Sequence, residues 1–523
     1  MAPSTARAVI MVGVFLMTFL FEREHDLMNT LALAAMLILI VHPPSVFSIS
    51  FQLSFSAVLS IIYGLSKVNI GRTFLPNGER RSWFTKILEK LFSFLLVSFF
   101  AIIGTIPLVM LYFNQVSLIG IFTNFLIIPI IGFVVVPTGL FSVFLFPVSS
   151  EAASWFLFIS GTVLSKAISL VNFFSDLPFS AVKTVTPSYF EICLYYIILW
   201  ALLNLKKVRS ETSEINIIDS IGKTARVVLA VCIFALVGDI CYWLNVRLLN
   251  RDLKVTVIDV GQGSSTLLEL PGGSCILADG GGFYDNSVFD MGARVIAPFL
   301  WRKKIKTVDT LILSHPNSDH LNGLTYIARH FNVKSVWTNG ETRNTVGYKK
   351  FMKTIEEENI DMPKFKDMPR TNMINGVAFE ILYPKKDFLD RRIKDKWRDT
   401  NNNSIVVKAD FGNYSFLIPG DIMKNSEREL VSMAGEKLSS TVLIAPHHGS
   451  GSSSTSLFLD KVNPEYIVIS SGWKNRFRFP HPSVLKRYAG LGSKIFRTDI
   501  NGAISMLTDG HSMEIRPYIA VSK

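Results

Sequence analysis

The stretch TLILSHPNSDHLNGL, residues 310–324, places an apolar run directly before a group of side chains that bind metals. The run predicts a strand, and His315, Asp319 and His320 follow where it ends, with Asn317 between them. A strand end of this kind can direct several side chains at one cation, and imidazole with carboxylate suits Zn²⁺, Mn²⁺ or Fe. Taken alone, such a stretch would more often be a polar surface loop.

Two further apolar runs end in the same kind of residue. FLIPGD (416–421) ends at Asp421, and VLIAPHHGS (442–450) contains His447 and His448. Three strands that each end in metal-capable side chains are difficult to explain as three unrelated loops. The sequence therefore predicts a divalent-metal site built from these strand ends.

The same part of the chain alternates short strands with helices. From Lys254 onward, VTVIDV, STLLEL and CILAD are typical of strands, separated by the turns GQG and PGG. Further strands are predicted at 309–314, 334–338, 378–382, 404–410, 414–418, 441–445 and 466–470, and helices at 321–331, 348–358, 423–433 and 482–489. Strands and helices in this order predict a layered α/β sandwich.

Charge separates this part of the chain from the residues before it. Residues 1–246 carry 15 Lys and Arg with 12 Asp and Glu, 27 charges in all, whereas residues 247–523 carry 38 and 29, which is 67 charges and a net charge of +9. The whole chain is 49% hydrophobic and only 18% charged, against about 25% charged in a typical soluble protein. We therefore predict a membrane domain over 1–246 and a soluble, basic domain over 247–523. The four scattered cysteines predict neither a disulfide framework nor a cysteine zinc site.

Eight apolar stretches divide the membrane domain. They lie at about 8–21, 28–42, 51–65, 91–113, 118–146, 153–174, 189–204 and 226–246. A spanning helix needs about 20 residues, so 91–113 and 226–246 are the clearest spans. The 51–65 stretch predicts an interfacial or re-entrant helix, because serine and glutamine interrupt it. Pro129 and Pro137 are expected to break the 118–146 stretch.

Basic loops predict the orientation in the membrane. One loop, 66–90, precedes four apolar stretches, and a second loop, 205–226, follows them. Their basic residues are Lys67, Arg72, Arg80, Arg81, Lys86 and Lys90, and Lys206, Lys207, Arg209, Lys223 and Arg226. If both loops are cytoplasmic, the four stretches make an even number of crossings, and 226–246 carries the soluble domain out of the cytoplasm. A re-entrant segment would reverse this prediction.

The order of the motifs resembles the metallo-β-lactamase fold, and specifically the hydrolase domain of ComEC-type DNA-uptake proteins. The segments that are similar to that family's own series are DVGQG (259–263), ADGG (278–281), SHPNSDH (314–320), PGD (419–421) and APHHGS (445–450). Parts of the membrane domain resemble the competence domain, namely RAVIM (7–11), HPPSVFSISFQLSFSAVL (42–59) and TNFLIIPIIGFVVVP (123–137). The resemblance implies a polytopic α-helical membrane domain followed by an α/β metallo-β-lactamase-like αββα sandwich.

The resemblance also implies roles for individual residues. It implies these metal ligands: His315, Asn317, Asp319, His320, Asp421 and His448. The site would hold one or two divalent ions, with Mn²⁺ or Zn²⁺ expected. Asp319, His447 and His448 would be catalytic, and whichever of the two histidines is not a ligand would protonate the leaving oxygen. Supporting positions would be Asp259, Asp279 and Asn403, although each also fits a simple turn.

Two departures from the family's pattern bear on activity. The family usually carries a carboxylate at the position of Asn317, and a neutral amide lowers the negative charge of the site. The wider fold also places a histidine between the first motif and the carboxylate that corresponds to Asp421, where this chain has NNNSIV (401–406). Both departures predict reduced activity or a site with one metal.

Basic and aromatic residues alternate in WRKKIK (301–306), KKDFLDRRIKDKWR (385–398) and WKNRFRF (473–479). Such mixtures suit single-stranded nucleic acid, because cations contact phosphates while rings stack on bases. The expected substrate contacts are Arg391, Arg392, Arg398, Arg476 and Arg478, together with Ser450. Charge runs are more often solvated faces, and the serine-rich segment 450–454 fits either a phosphate cradle or a helix cap.

These inferences favour a channel component for DNA uptake in the inner (cytoplasmic) membrane, with an external metal-dependent phosphodiesterase or nuclease domain. Its partners would be single-stranded DNA, the membrane and other DNA-uptake proteins, and an oligomer is compatible with the sequence. Family members carry further N-terminal helices and a small β domain, so the chain is expected to be truncated at its N-terminus. The alternatives are a DNA-guiding module with a degenerate hydrolase domain, and a membrane-anchored hydrolase of small phosphodiesters or esters.

Overall fold

The computed structural model describes residues 3–20, 26–68, 83–178, 180–205, 215–286, 288–392 and 394–520. The chain divides into two compact units, Met1–Gly238 and Asp239–Lys523. The first unit is mainly helical, and the second alternates strands with helices. Long apolar helices followed by a mixed α/β unit confirm the predicted class of fold.

The first unit consists of apolar helices. Its described helices are α1 Pro3–Leu20, α2 Leu27–Val41, α3 Ile49–Lys67, α4 Trp83–Phe113, α5 Gly120–Pro129, α6 Val136–Leu145, α7 Ser150–Ser175, α8 Tyr189–Leu203 and α9 Ile215–Leu248, the last of which continues into the second unit. Two short strands, β1 Gln115–Ser117 and β2 Ala181–Lys183, pair antiparallel. Five segments in the described ranges are long and apolar enough to cross a membrane: Ile49–Lys67, Thr85–Phe113, Gly120–Leu145, Ser150–Ser175 and Gly222–Leu248.

Two membrane segments differ from the sequence-based expectations. The helix Ile49–Lys67 has 19 residues, enough for a span rather than the predicted interfacial or re-entrant helix. The predicted break at Pro129 and Pro137 is wrong, because a π-helical turn, Ile130–Val135, joins α5 to α6 without interruption. Because proline has no amide hydrogen, it leaves a backbone carbonyl without its usual donor, and a local π-helical adjustment can satisfy such freed groups. Of the basic residues that predicted orientation, Arg72, Arg80, Arg81, Lys206, Lys207 and Arg209 lie outside the described residues.

Small residues bring α3, α4 and α8 together. Gly104 lies so close to α3 that a Cβ atom there would come within 2.0 Å of Ser60 Oγ. Ser56 Oγ donates a hydrogen bond to Gly104 O at 2.5 Å, and Tyr196 OH donates to the same oxygen at 2.8 Å. Small side chains and hydroxyl groups are the usual means of packing helices inside a membrane.

The second unit contains two seven-stranded sheets. Its strands are β3 Leu253–Val257, β4 Thr266–Glu269, β5 Cys275–Ala278, β6 Thr307–Leu313, β7 Asn332–Thr338, β8 Thr371–Ile374, β9 Val377–Tyr383, β10 Val406–Phe411, β11 Tyr414–Ile418, β12 Val442–Ile444, β13 Tyr466–Ile469, β14 Lys494–Arg497, β15 Ile504–Thr508 and β16 Met513–Pro517. The first sheet has the order β16-β15-β3-β4-β5-β6-β7, and the second has the order β14-β13-β12-β11-β10-β9-β8.

Helices cover the sheets on the outside. They are α10 Ala297–Arg302, α11 Ser318–His330, α12 Val346–Glu357, α13 Phe388–Arg391, α14 Lys424–Ala434, α15 Ser456–Val462, α16 Pro482–Gly490 and α17 Thr498–Asn501. Leu268 of the first sheet and Phe416 of the second are buried in one core between the sheets. Leu443 faces the other way and packs with Leu430 and Phe458 from the helices. Alternating inward and outward apolar residues thus build an αββα sandwich.

Helix α11 begins earlier than the predicted helix. It starts at Ser318 with Asn317 at its N-cap position, so Asp319 and His320 lie in the first helical turn rather than in a loop. A helical turn gives both side chains a more definite direction than a loop would. The earlier helix start therefore determines where Asp319 and His320 lie in the candidate site.

Candidate metal centre

The candidate site is built at the carboxyl ends of four strands. β5 and β6 are parallel neighbours in the first sheet, and β11 and β12 are parallel neighbours in the second. Asp279 follows β5, His315 follows β6, and Asp421 follows β11; His447 and His448 follow β12. Parallel neighbours place their carboxyl ends at the same edge, where loops form sites.

Asp319, His320, Asp421 and His448 place donor atoms within 4.8 Å of one another, and we call them the His–Asp cluster. Asp421 is central, because its Oδ1 lies 3.2 Å from His320 Nε2 and its Oδ2 lies 3.4 Å from His448 Nε2. Asp319 Oδ2 lies 3.6 Å from His448 Nε2. Asp319 is partly exposed, and the other three residues are buried.

The chemistry of the His–Asp cluster fits a divalent cation. His320 Nε2 and His448 Nε2 are buried and make no hydrogen bond within the described part of the chain. Buried polar atoms are normally paired, so two unpaired nitrogens that face a carboxylate indicate a site for a cation. Two imidazoles and two carboxylates are a donor set that Mn²⁺, Zn²⁺ or Fe accepts.

The charges of the His–Asp cluster are strongly coupled. Burial disfavours a charged imidazole, but the Asp421 and Asp319 carboxylates outweigh it and raise the pKa of His448 to about 9. Burial likewise opposes charge on His320, yet Asp421 and Asp279 raise the pKa of His320 well above its usual value. Burial also opposes charge on Asp421, while the two histidines hold its pKa well below the usual range. A metal ion must therefore displace protons when it binds here.

Both cluster histidines are oriented through their other ring nitrogen. His320 Nδ1 lies 2.7 Å from Asp279 Oδ2, and Ser314 N donates to Asp279 Oδ1 at 2.8 Å. His448 Nδ1 lies 3.1 Å from Ser470 O. Such contacts fix the ring and leave Nε2 for a metal. Asp279 thus contacts a cluster histidine directly, and its supporting role at the site stays a prediction.

His315 lies next to the His–Asp cluster but is not one of its four members. Its ring is fully buried, with its centroid 4.3 Å from that of His320. Its Nδ1 lies 3.0 Å from Ser314 Oγ and 3.2 Å from Ser404 Oγ. Burial, reinforced by the charge on His320, lowers the pKa of His315 to about 4. The ring is therefore neutral at pH 7, the form in which histidine binds metals, and its role as a ligand stays a prediction.

Asn317 joins the helix start to two residues that the sequence analysis missed. Asn317 Nδ2 donates to Asn401 Oδ1 at 2.6 Å, and Arg343 donates to Asn317 Oδ1 at 3.3 Å. Asn401 Nδ2 lies 3.4 Å from His447 Nε2. Arg343 follows β7, which is parallel to β6, so the strand-end pattern would have identified it. Asn401 belongs to the segment NNNSIV (401–406), in which the sequence pattern favours Asn403 rather than Asn401.

The backbone around the two histidines is strained. His447 has φ 50° and His448 has φ 56°, values that non-glycine residues rarely adopt and that often mark functional sites. The motif PGD (419–421) needs its glycine, because Gly420 has φ 58° and a Cβ atom there would lie 2.8 Å from Ser404 Cβ. His447 N donates to Gly420 O at 3.2 Å, so the two motifs hold each other in place.

The segment Trp473–Phe479 lies beside His447, and we call it the aromatic–basic loop. The ring centroids of His447 and Phe479 are 5.8 Å apart. Phe477 stacks on Phe479, with centroids 5.6 Å apart and planes inclined by 19°. The loop therefore extends from the site through a pair of stacked rings.

Aromatic rings and cations alternate on the surface of this loop. Trp473 and Phe477 are 72% and 47% exposed. Lys474 Nζ lies 4.4 Å from the Trp473 ring centroid, and Arg476 Cζ lies 4.7 Å from that of Phe477. Arg478 is also exposed. The predicted substrate contacts of Arg476 and Arg478 thus lie on an accessible surface next to the candidate metal centre.

The second basic segment is engaged in internal ion pairs. Arg398 is buried, and its guanidinium donates to Glu429 at 2.6 Å. Arg391 donates to the same carboxylate at 2.8 Å, and Arg392 pairs with the buried Glu341 at 2.9 Å. Contrary to the prediction, the Arg398 guanidinium is not presented to a substrate, because these carboxylates hold it inside the fold.

The serine-rich segment after the histidines leads into helix α15, and the Glu427 carboxylate accepts hydrogen bonds from the amides at this helix start. The amides of Ser454 and Thr455 both donate to the buried Glu427 carboxylate, the second at 2.8 Å. Ser450 is buried, and its amide donates to His447 O at 2.8 Å. These amides are already paired, so the helix-cap interpretation fits the structure better than the phosphate cradle.

Asp259 and Asn403 hold loops. Asp259 is exposed and accepts a hydrogen bond from Gly261 N at 3.1 Å, which is the hairpin-turn interpretation of its motif. Asn403 is buried and donates to Glu341 Oε2 at 3.2 Å. The Asp259 contact is local to its turn, whereas the Asn403 contact joins segments that are 62 residues apart. The supporting roles of the two residues toward the site stay predictions.

Comparison with known proteins bears on both units. Residues 1–209 match the Competence protein family, and residues 258–472 match the Metallo-beta-lactamase superfamily. The chain has the ComEC-type architecture. The predicted family and the predicted metallo-β-lactamase-like sandwich are therefore confirmed.

Curated relatives of this ComEC-type chain cover nearly all of it. ComE operon protein 3 of Bacillus subtilis is 26% identical over 96% of the chain and 61% of its own length. Recombination protein 2 of Haemophilus influenzae is also 26% identical, over 96% of the chain and 60% of its own length. Competence protein ComA of Neisseria gonorrhoeae is 29% identical over 49% of the chain and 32% of its own length. The chain spans about three fifths of the length of the first two.

Proposed function

We propose that this chain is a membrane component of DNA uptake and that its second unit is a metal-dependent phosphodiesterase. The convergence of the His–Asp cluster, with donor atoms within 4.8 Å of one another, carries the hydrolase proposal. The match of residues 1–209 to the Competence family and the relative named Competence protein ComA support the role in DNA uptake.

The His–Asp cluster would hold one or two divalent ions, and its donors favour Mn²⁺ or Zn²⁺. A bound ion would polarise a phosphate oxygen and activate water, which is the basis of metal-assisted phosphodiester hydrolysis. Asp279 and Ser470 orient the histidines of the cluster. Asp421 is held between the two histidines, so a single carboxylate can serve both sides of the site.

His447 is suited to move a proton. Its Nε2 lies 3.9 Å from Asp421 Oδ2, and its side chain is 20% exposed. Burial lowers the pKa of His447, so the ring is neutral at pH 7 and can take a proton from water before giving it to the leaving oxygen. The contact with Phe479 places this ring between the His–Asp cluster and the aromatic–basic loop.

The aromatic–basic loop favours single-stranded DNA over a small ester as substrate. Exposed rings such as Trp473 and Phe477 can stack on unpaired bases, while Arg476 and Arg478 contact phosphates. A strand held on this loop would pass next to His447 and so reach the His–Asp cluster. A small ester would need none of these exposed groups.

The proposed location of the second unit outside the cytoplasm depends on whether α8 crosses the membrane. This helix has 15 residues, fewer than the about 20 that a straight span needs, yet it must count as a crossing. Tyr195 OH in α8 donates to Ile103 O of α4 at 2.8 Å, which supports a position at membrane depth. A cysteine placed at the exposed Ser512 would then react with a membrane-impermeant maleimide in intact spheroplasts; labelling only after lysis would overturn the orientation.

Nuclease activity of the full chain on end-labelled single- and double-stranded DNA tests the hydrolase proposal. We expect cleavage of single strands with Mn²⁺ or Zn²⁺ and none with EDTA. Asn317 motivates a second candidate function, a DNA-guiding module without hydrolysis, because its amide is engaged with Asn401 and Arg343. No cleavage by the native chain and none by Asn317→Asp, with DNA still bound, would favour that second function.

A further inference from the structure

Arg343 is an exposed cation to which the proposed function gives no role. It lies in the segment between β7 and α12. No ion pair within the described part of the chain includes it, and the carboxylate nearest to it in sequence, Glu341, is buried and pairs with Arg392 at 2.9 Å. The charge of Arg343 is therefore free to meet a ligand.

One contact holds the Arg343 guanidinium toward the candidate site. Its Nη2 donates to Asn317 Oδ1 at 3.3 Å. Asn317 is the N-cap residue of α11, two positions before Asp319 of the His–Asp cluster. The Asn317 amide also donates to Asn401 at 2.6 Å, and Asn401 Nδ2 lies 3.4 Å from His447 Nε2. Two carboxamides thus connect Arg343 to residues at the edge of the cluster.

The partner of Arg343 is an amide, and this decides what the guanidinium can do. A carboxamide oxygen accepts the hydrogen bond and leaves the positive charge uncompensated. A carboxylate at position 317 would instead form an ion pair with Arg343 and compensate its charge. Asn317 therefore orients the Arg343 side chain without neutralising it, and the other N–H groups of the guanidinium remain for a second acceptor.

The surface around Arg343 has room for a segment of a polynucleotide. Arg343, Tyr348 and Lys349 line a groove of about 850 Å³ at the start of α12. Lys349 is exposed, and Tyr348 is half-buried. The carboxylate that lines the groove, Glu356, follows Lys349 by about two helical turns. The end of the groove at Arg343 is therefore accessible and basic, as a path for a phosphate backbone requires.

We propose that Arg343 binds a phosphate of single-stranded DNA beside the His–Asp cluster, and that Asn317 keeps the Arg343 charge free for this contact. The inference rests on the proposed function in one respect, because it takes DNA as the ligand. A guanidinium suits the role, since its planar fork matches two oxygens of a phosphate. The amide at position 317 thereby has a role that requires no metal contact.

Binding of a single-stranded oligonucleotide to the full chain tests the phosphate contact. Fluorescence anisotropy is measured in EDTA over a series of salt concentrations, so the result does not depend on hydrolysis. Arg343→Gln should lower the affinity about threefold, and the dependence of log affinity on log salt should become shallower by about 0.7, the value for one phosphate contact. Arg302→Gln removes an exposed arginine at the end of α10 and is the matched control, which should change neither quantity.

The variant Asn317→Asp tests the role of the amide. Its carboxylate should pair with Arg343, so this variant should also bind the oligonucleotide about threefold more weakly. In the Asn317→Asp background, Arg343→Gln should cause little further loss, because the phosphate contact is already lost. Equal losses on Arg343→Gln in the two backgrounds would overturn the role proposed for Asn317.

The possible results separate the failure of this inference from the failure of the proposed function. A native chain that binds no oligonucleotide would overturn both. Binding that Arg343→Gln leaves unchanged, or that Arg302→Gln weakens equally, would overturn only the contact proposed for Arg343. A salt dependence that Arg343→Gln does not alter would also overturn it, because a purely structural role of Arg343 would not change the number of phosphates that the chain contacts.

Discussion

His447 lies between the His–Asp cluster and the aromatic–basic loop, near Asp421 on one side and Phe479 on the other, and these two regions are built in opposite ways. In the cluster, every residue except the partly exposed Asp319 is buried, and charges are compensated by neighbours, as Asp421 is by His320 and His448. In the loop, rings and cations are exposed, and Lys474 and Arg478 adopt positive φ values of 49° and 57°. Buried, compensated charge suits chemistry on a metal, whereas exposed rings and cations suit binding of a long substrate.

This difference predicts that substitutions in the two regions have different kinetic effects. Changes in the His–Asp cluster should lower kcat and leave DNA affinity intact, because in the proposed function the cluster would contact only the reacting phosphate. Changes in the loop should raise KM and leave kcat nearly intact. The predictions below test this division, beginning with the largest effect.

Asp421→Asn should lower metal-dependent cleavage by about a thousandfold, the scale of losing one group that stabilises charge in an active site. The carboxamide keeps the shape but removes the charge that both histidines share. Single-turnover assays on end-labelled single-stranded DNA give the rate, and fluorescence anisotropy gives the affinity, which should not change. Asp460→Asn, on the exposed surface, is the matched control. Equal losses in cleavage rate and in DNA affinity would contradict this division of roles between the His–Asp cluster and the aromatic–basic loop.

His447→Ala should lower kcat by about a hundredfold, since general acid–base catalysis contributes at least that much. The variant should bind metal normally, because His447 is not in the His–Asp cluster. Rate and metal content measured on one preparation check both statements. His511→Ala, in an exposed turn, is the control, and loss of bound metal in His447→Ala would show that His447 is a ligand instead.

Metal affinity should rise with pH. The pKa of His448 is raised to about 9, so below that pH a metal must displace its proton, and binding weakens as the pH falls. For each displaced proton the affinity should change about tenfold per pH unit between about pH 6.5 and 8.5. Isothermal titration with Mn²⁺ across this range checks the slope, and a flat profile would contradict the protonated state of the cluster.

Arg476→Gln combined with Arg478→Gln should raise KM for single-stranded DNA about fivefold and leave kcat nearly unchanged. The dependence of log affinity on log salt should become shallower by about 1.4, because two phosphate contacts are lost. Arg302→Gln combined with Lys306→Gln removes the same charge from the segment 301–306 and serves as the control. Equal effects of the two pairs would mean that net charge, rather than the loop, binds DNA.

Much of the fold and of the site could be predicted from the sequence because strand ends are local features. Apolar runs before Asp421 and His448 identified the residues, and parallel pairing then brought them together. What could not be predicted depends on long-range contacts. The contact between Asn317 and Asn401 joins residues that are 84 positions apart, and no local pattern specifies such a pair.

The three basic and aromatic segments show the same limit more clearly. They have similar composition, but Trp301 is buried, Arg398 is held by carboxylates, and Trp473 is exposed. Composition reports what a segment contains, whereas burial and charge partners decide whether its side chains are buried in the core, held in ion pairs or exposed. Only the tertiary structure distinguishes these three outcomes.

The most direct test of the central claim is the metal content of the purified full chain. After equilibrium dialysis against Mn²⁺ or Zn²⁺, inductively coupled plasma mass spectrometry should find one or two metal ions for each chain. The Asp421→Asn variant should retain markedly less metal. A content indistinguishable between the native chain and Asp421→Asn, or no bound ion in the native chain, would contradict the assignment of the His–Asp cluster as a metal centre.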